Sequence, residues 1–275
     1  MKITSLSLSV LALGGLLALN ACKKDADPEP DTNAGDAEAA QEIAIAEQLF
    51  GDMKNIADEA ESGSVSSFKN GMSFASCATV TLNQAQKQIT VDFGTSNCLC
   101  RDLRNRRGVL NVTYTTNYWD SGNVVTITPQ NYYVNDYGIT GTKTLTNLGN
   151  DANGNPHWSV AVSGQITKPN NGGTFSWTSS RVNTWSAGSS TPQDWTDDAW
   201  TVTGSSTLTS SSQIQWTLNI TKALHRAMNC PWIDEGTLTL DRTGVQTRTL
   251  DYGAGACDND ATLSVVGLSI PIKLK

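Results

Sequence analysis

Eight tryptophans stand in a chain of 275 residues. Trp158, Trp177, Trp185, Trp200 and Trp216 fall on or near segments with one apolar side, and Arg181 lies among them. An indole face can take a sugar ring by stacking or an acyl chain by burial. Trp177, Arg181 and Trp185 have the same parity, so an unbroken strand would point all three to one side. A guanidinium on an apolar face is costly unless it is paired or stacked. Two arrangements satisfy that condition. One is a core with a single paired arginine, its acid being Asp251 or Glu235. The other is a concave aromatic surface, with Trp158, Trp177, Arg181, Trp185 and Trp200 facing a ligand. The second is carried forward as the expected binding surface.

The residue types of covalent catalysis are poorly arranged. His157 and His225 are the only histidines. Neither falls in a Ser/His/Asp or Cys/His order, and no Gly-x-Ser-x-Gly elbow occurs. Asp194, Asp197 and Asp198 flank Trp195 and Trp200, and carboxylates serve glycoside hydrolysis only where two converge across a sugar. Asp151 opens a stretch like a calcium loop, but its glycine comes too early and Val162 stands where a glutamate is needed. Asp258-Asn259-Asp260, near Asp251, reads as a turn held by Cys257. Arg101, Arg104, Arg106 and Arg107 make a basic turn that reads as a solvated loop, or as a contact for lipid phosphates and acidic glycans. The expectation is a protein that is not an enzyme, with no cofactor and no metal.

The N-terminal residues bear on location. Met1-Lys2 precedes an apolar run, Ile3 to Leu19, of signal-peptide length. It closes on Leu19-Asn20-Ala21-Cys22, which resembles the lipobox of bacterial lipoproteins. That resemblance makes Cys22 a lipid attachment point and the membrane a partner through its acyl chains. Lys23-Lys24-Asp25-Ala26-Asp27 is similar to the tract that sends Bacteroidetes lipoproteins to the outer face of the outer membrane. Residues 23–62 hold twelve Asp/Glu and three Lys, whereas residues 63–275 are close to neutral. The basic footprint of a nucleic-acid binder is missing.

Five further cysteines remain for an oxidising compartment. Cys77 can pair with Cys98 or with Cys100, and Cys230 with Cys257, which leaves one thiol. Zinc is disfavoured by the CxC spacing and the lack of a nearby histidine.

Positioning these residues falls to one helix and many strands. Asp25 to Asp36 is a polar tether with Pro28 and Pro30. Ala37 to Glu61 reads as a helix with Ile43, Ala46, Leu49/Phe50, Met53, Ile56/Ala57 and Ala60 on one face. Asp36 is the expected N-cap and Gly51 a possible bend. From Cys77 the period becomes two, as in Ile89/Val91/Phe93, Leu110/Val112/Tyr114 and Ile214/Trp216/Leu218/Ile220. Asp120–Asn123, Asn153–Asn155, Asn170–Gly173 and Gly253–Gly255 supply turns. The expected architecture is mainly β: an antiparallel meander of about a dozen strands, as a curved sheet, half-barrel or two layers, with one N-terminal helix packed on it. An outer-membrane barrel is rejected, because no aromatic girdles recur at fixed spacing. The division is 1–21 signal peptide, 22–36 acidic tether, 37–62 helix and 63–275 β domain.

The segments CATVTLN, ITVDFGTSNCLC, RRG, NYYVNDYGITGTKTLTN, GGTFSWTSSRVNTW and NCPWIDEGTLTLDRTGVQTRTLDYGAGACDNDATLSV together resemble a group of uncharacterised Bacteroidetes outer-membrane lipoproteins. The likeness covers most of residues 77–275. It implies location and fold, and no activity. The expected function is that of a lipid-anchored, non-catalytic binding or structural module at the cell surface, with a glycan or another surface ligand on the Trp/Arg face. A periplasmic carrier or chaperone for lipid or lipoproteins, using a half-barrel trough, is the alternative. A carbohydrate-active enzyme is the weaker third reading.

Overall fold

The computed structural model describes residues 34–61, 77–191, 194, 196–230 and 232–274. Cys22, most of the acidic tether and Trp195 lie outside the described residues. Helix α1 spans Ala34–Glu61. The strands are β1 (Thr79–Asn83), β2 (Gln88–Asp92), β3 (Cys98–Leu99), β4 (Asn105–Tyr114), β5 (Val124–Val134), β6 (Tyr137–Asn150) and β7 (Pro156–Thr167). They continue as β8 (Thr174–Ala187), β9 (Ala199–Thr209), β10 (Gln215–Ala227), β11 (Glu235–Asp241), β12 (Arg248–Ala254), β13 (Asp260–Val265) and β14 (Leu268–Lys273).

All fourteen belong to one antiparallel sheet in which each strand pairs with the next, except that β3 is a side branch on β4. The sheet is curved and does not close, so β1 and β14 are its two edges. Of the forms expected from the alternation, the single curved sheet is the one realised. Its inner face carries Ile89, Val91, Leu110, Val112, Ile127, Ile139, Ile166, Phe175, Leu208 and Leu218, all buried. Its outer face carries rows of Thr, Ser and Asn, as the two-sided pattern requires.

Strands β5 and β6 show no clean alternation, and the structure explains why. In β5, Val125, Ile127 and Pro129 face inward, then Tyr132 and Val134 do. Parity flips at a bulge, where Asn131 has φ 46° and the pairing with both neighbours slips. In β6 the inward positions include Gly141 and Lys143, which no hydrophobic pattern would mark. The two strands join through Asn135-Asp136, with φ 47° and 64°. A two-residue hairpin needs that left-handed pair, and Asn and Asp tolerate it.

Helix α1 begins before the expected start, so Asp36 lies inside its first turn and not at an N-cap. Gly51 does not interrupt it. Ala46, Leu49, Phe50, Met53, Ile56, Ala57 and Ala60 are buried against the sheet in one cluster with the strand residues. Helix propensity contributes little here, because the last turn is acidic and lacks a basic residue to offset the dipole. Sheet packing carries it.

Helix and sheet come close together at Gly164 of β7. A Cβ there would lie 2.6 Å from Phe50 Cζ and 2.5 Å from the Thr140 carbonyl oxygen. Gly164→Ala is therefore expected to destabilise by about 1–3 kcal/mol through overpacking. Urea midpoints of Gly164→Ala, alone and with Phe50→Leu, check this. The double variant should lose less than the two single losses added together.

Two disulfides staple the loops, Cys77–Cys98 and Cys230–Cys257, and Cys100 is a buried free thiol. The second bond ties the β10–β11 connection to the β12–β13 connection.

Candidate functional site

The five expected binding residues separate into two groups. Trp177 is 1% exposed and belongs to the core. The parity argument placed it on the inner face correctly, but that part of the face lies under α1, so Trp177 cannot meet a ligand. Arg181 is also turned inward, with its guanidinium 5.8 Å from the centre of the Trp177 ring. Its acid is neither Asp251 nor Glu235. It pairs with Glu47 of α1 and donates to Ser206 Oγ at 3.1 Å. Asp251 is exposed on the outer face, and Glu235 pairs with Lys222 at 2.8 Å. The helix therefore supplies the acid that the sheet keeps outside.

Trp158, Trp185 and Trp200 are brought together. Cross-strand pairing sets Trp185 opposite Trp200 and Trp158 opposite Asn183. The rings of Trp185 and Trp200 stack at 5.6 Å and 9°, and Trp158 leans on Trp200 at 5.6 Å and 43°. Trp185 Nε1 donates to Asp198 Oδ1 at 3.2 Å. All three rings are partly exposed. The helix passes β8 at Glu47, then turns its later acids to Arg106 of β4 and Tyr118 beyond it. This corner of the inner face is thus left beside the helix and not under it.

Two polar atoms in the corner lack protein partners. Arg181 Nε and Asn183 Oδ1 are buried without a hydrogen bond. They sit two residues apart on one face of β8, between Trp177 and Trp185. Buried polar atoms are normally satisfied, so these two are exceptions beneath the indole cluster. Tyr252 lies on β12. Burial pushes its phenol up to about 12, with the Glu47 charge adding and Arg181 opposing.

A shallow depression adjoins the corner, with Trp158 as a shared wall. Tyr118, Trp119, Asn123 and Lys54 also line it. Trp119 is 54% exposed, and its Nε1 donates to Glu61 Oε2 at 2.9 Å.

Behind this surface lies Lys143, buried, donating to the Phe50 carbonyl at 2.7 Å. Burial, and then the charge of Lys54, push its amine down to about 8. The unfolded chain holds that proton to about pH 10.4. Between those values the unfolded state binds more protons, so the Lys143 contribution to stability rises with pH from about 8 to about 10. The slope is at most about 1.4 kcal/mol per pH unit. Melting curves at pH 7 and 9.5 should show this gain in the wild type relative to Lys143→Met. Parallel pH responses of the two proteins would contradict it.

The remaining candidates make local contacts. Asp194 holds Thr196, Asp197 accepts from Thr191, and Asp198 accepts from Trp185. His225 Nδ1 lies 2.6 Å from Asp234 Oδ1, and His157 Nδ1 lies 3.0 Å from the Gly149 carbonyl. Three of the four arginines of the basic turn are engaged in ion pairs, while Arg101 is exposed. Arg106 is 0% exposed and bonds Asp52 and Asp102, Arg104 pairs with Asp52 at 3.5 Å, and Arg107 pairs with Asp136 over the Tyr133 ring.

Hydrophobic periodicity carries no sign of this ionic seam. Glu42, Asp52 and Asp58 of α1 are buried, and Lys168, Arg106 and Tyr118 meet them. Its only sequence signal was the contrast between an acidic helix and basic residues scattered along the strands. No family model, no curated protein and no solved structure matches the chain.

Proposed function

We propose that this chain is a lipid-anchored, non-catalytic glycan-binding module, held to the outer membrane through Cys22 and displayed at the cell surface. The observation that carries the reading is the corner formed by the partly exposed Trp158, Trp185 and Trp200, whose rings stack and lean on one another. Sugar rings offer C–H faces to indoles. The charges around the corner are already paired, as in Glu47–Arg181 and Lys54–Asp58, which favours a neutral saccharide. The carrier reading needs an open trough. Phe50, Met53 and Ile56 of α1 fill the middle of the inner face instead, which weighs against an acyl chain there.

The test is affinity electrophoresis in gels containing neutral polysaccharides, with the wild type and Trp200→Ala. A central aromatic contact is worth about 2 kcal/mol, or roughly thirtyfold in affinity. Trp200→Ala should lose retardation by that factor while keeping its melting temperature within a few degrees. Retardation equal to the wild type would remove the corner as the site. The anchor is tested separately: Cys22→Ser should abolish acyl labelling, and protease added to intact cells should cut the β domain.

A further inference from the structure

Three sulfurs meet beside the β3–β4 hairpin. Cys77 and Cys98 are bonded, and the thiol of Cys100 lies 3.4 Å from Cys77 Sγ. The contact follows from strand geometry. Cys98 and Cys100 are two residues apart in an extended segment, so both side chains point the same way, toward Cys77. Exposure differs between the two: Cys100 is 2% exposed, whereas Cys98 is partly exposed between exposed Asn97 and Leu99. A solvent reagent therefore reaches position 98 more readily than position 100.

We propose that Cys77, Cys98 and Cys100 form a thiol–disulfide exchange site, in which the bond to Cys77 passes between Cys98 and Cys100 and the free thiol is presented at Cys98 to thiol-reactive small molecules. The Cys100 thiol gives its proton to solvent. The thiolate attacks Cys77 Sγ and forms a Cys77–Cys100 bond, and the Cys77–Cys98 bond breaks with its electron pair leaving on Cys98, which takes a proton. One disulfide and one thiol are present before and after, so no oxidant or reductant is needed. Reacting atoms held about 3–3.5 Å apart are in the range where an intramolecular step gains most over an encounter in solution. Arg106 pairs across the ladder with Cys98 and is the nearest cation to the exchanging sulfurs. Burial pushes the Cys100 thiol up, with Arg106 opposing that rise. Exchange therefore quickens as pH rises, because the thiolate is the attacking species.

The experiment treats the native, full-length chain with N-ethylmaleimide at pH 7 and pH 8.5, followed by non-reducing digestion and fragmentation that separates Cys98 from Cys100. The expected product carries the label on Cys98 together with a Cys77–Cys100 disulfide, and forms faster at the higher pH. Label on Cys100 with Cys77–Cys98 intact would overturn the proposal, and so would a lack of label on both. Two variants fix the end states. Cys100→Ser should keep Cys77–Cys98 and take no label in this hairpin. Cys98→Ser should form Cys77–Cys100; free thiols at both positions in that variant would also overturn the proposal.

Discussion

Arg106→Met is expected to cost the fold about 3–5 kcal/mol, the range for removing one partner from a buried ion pair. Arg106 donates to Asp52 Oδ2 from Nη2 at 2.6 Å and from Nε at 3.3 Å. It also reaches Asp102 from Nη1 at 2.8 Å and from Nη2 at 2.6 Å. Burial already raises the Asp52 carboxyl, and the Arg106 guanidinium is the main force opposing that rise. Without it, Asp52 keeps only Arg104 and must either stay charged in a poor environment or take a proton. The carboxyl would rise further in the variant, and a raised folded value penalises folding progressively as pH climbs from the unfolded value toward the folded one. The loss measured by urea unfolding should therefore be smaller at pH 5 than at pH 7. Asp52→Leu in the Arg106→Met background should recover part of the loss, because the orphaned charge goes with it. A loss under about 1 kcal/mol at pH 7 would mean that the seam does not hold α1 to the sheet.

Trp177→Ala is the second large effect, about 3–5 kcal/mol, from lost burial and the cavity left behind. Trp177 sits under the helix on the same strand as Trp185, yet Trp177 and the corner residue Trp200 should respond in opposite ways. Trp177→Ala lowers the melting temperature, and any loss of binding follows from unfolding. Trp200→Ala, at the open corner opposite Trp185, spares the melting temperature and loses binding. If Trp177→Ala bound less tightly at unchanged stability, the corner would extend farther under α1 than its burial allows.

Much of the architecture was legible in single segments. Ile214/Trp216/Leu218/Ile220 announces β10, and Leu49/Phe50/Met53/Ile56 announces a helix that covers something apolar. The inward side of β6 was not legible, because Gly141 and Lys143 occupy it for close approach and for a helix carbonyl, neither of which is a hydrophobic signal. The disulfide Cys230–Cys257 could be read from spacing, whereas Cys98 and Cys100 are equivalent for that purpose and the structure keeps both against Cys77. Parity placed Trp177, Arg181 and Trp185 on one face. What divides them is the diagonal path of α1, a long-range fact set by Glu47, Asp52 and Asp58 meeting partners on β8, β4 and the β4–β5 connection. Local pattern reports which side a residue faces but not what lies over it. Pairing Arg181 with Asp251 or Glu235 failed for the same reason, since the nearest acid in space is on the helix.

The central claim is that the corner of Trp158, Trp185 and Trp200 is where ligand binds. The most direct measurement is the set of indole N–H resonances of the tryptophans, assigned by substitution and followed by NMR as a neutral oligosaccharide retained in the electrophoresis is added. Shifts confined to Trp158, Trp185, Trp200 and the neighbouring Trp119, with Trp177 and Trp216 unmoved, are the predicted result. Saturable binding that leaves those four signals in place would contradict it.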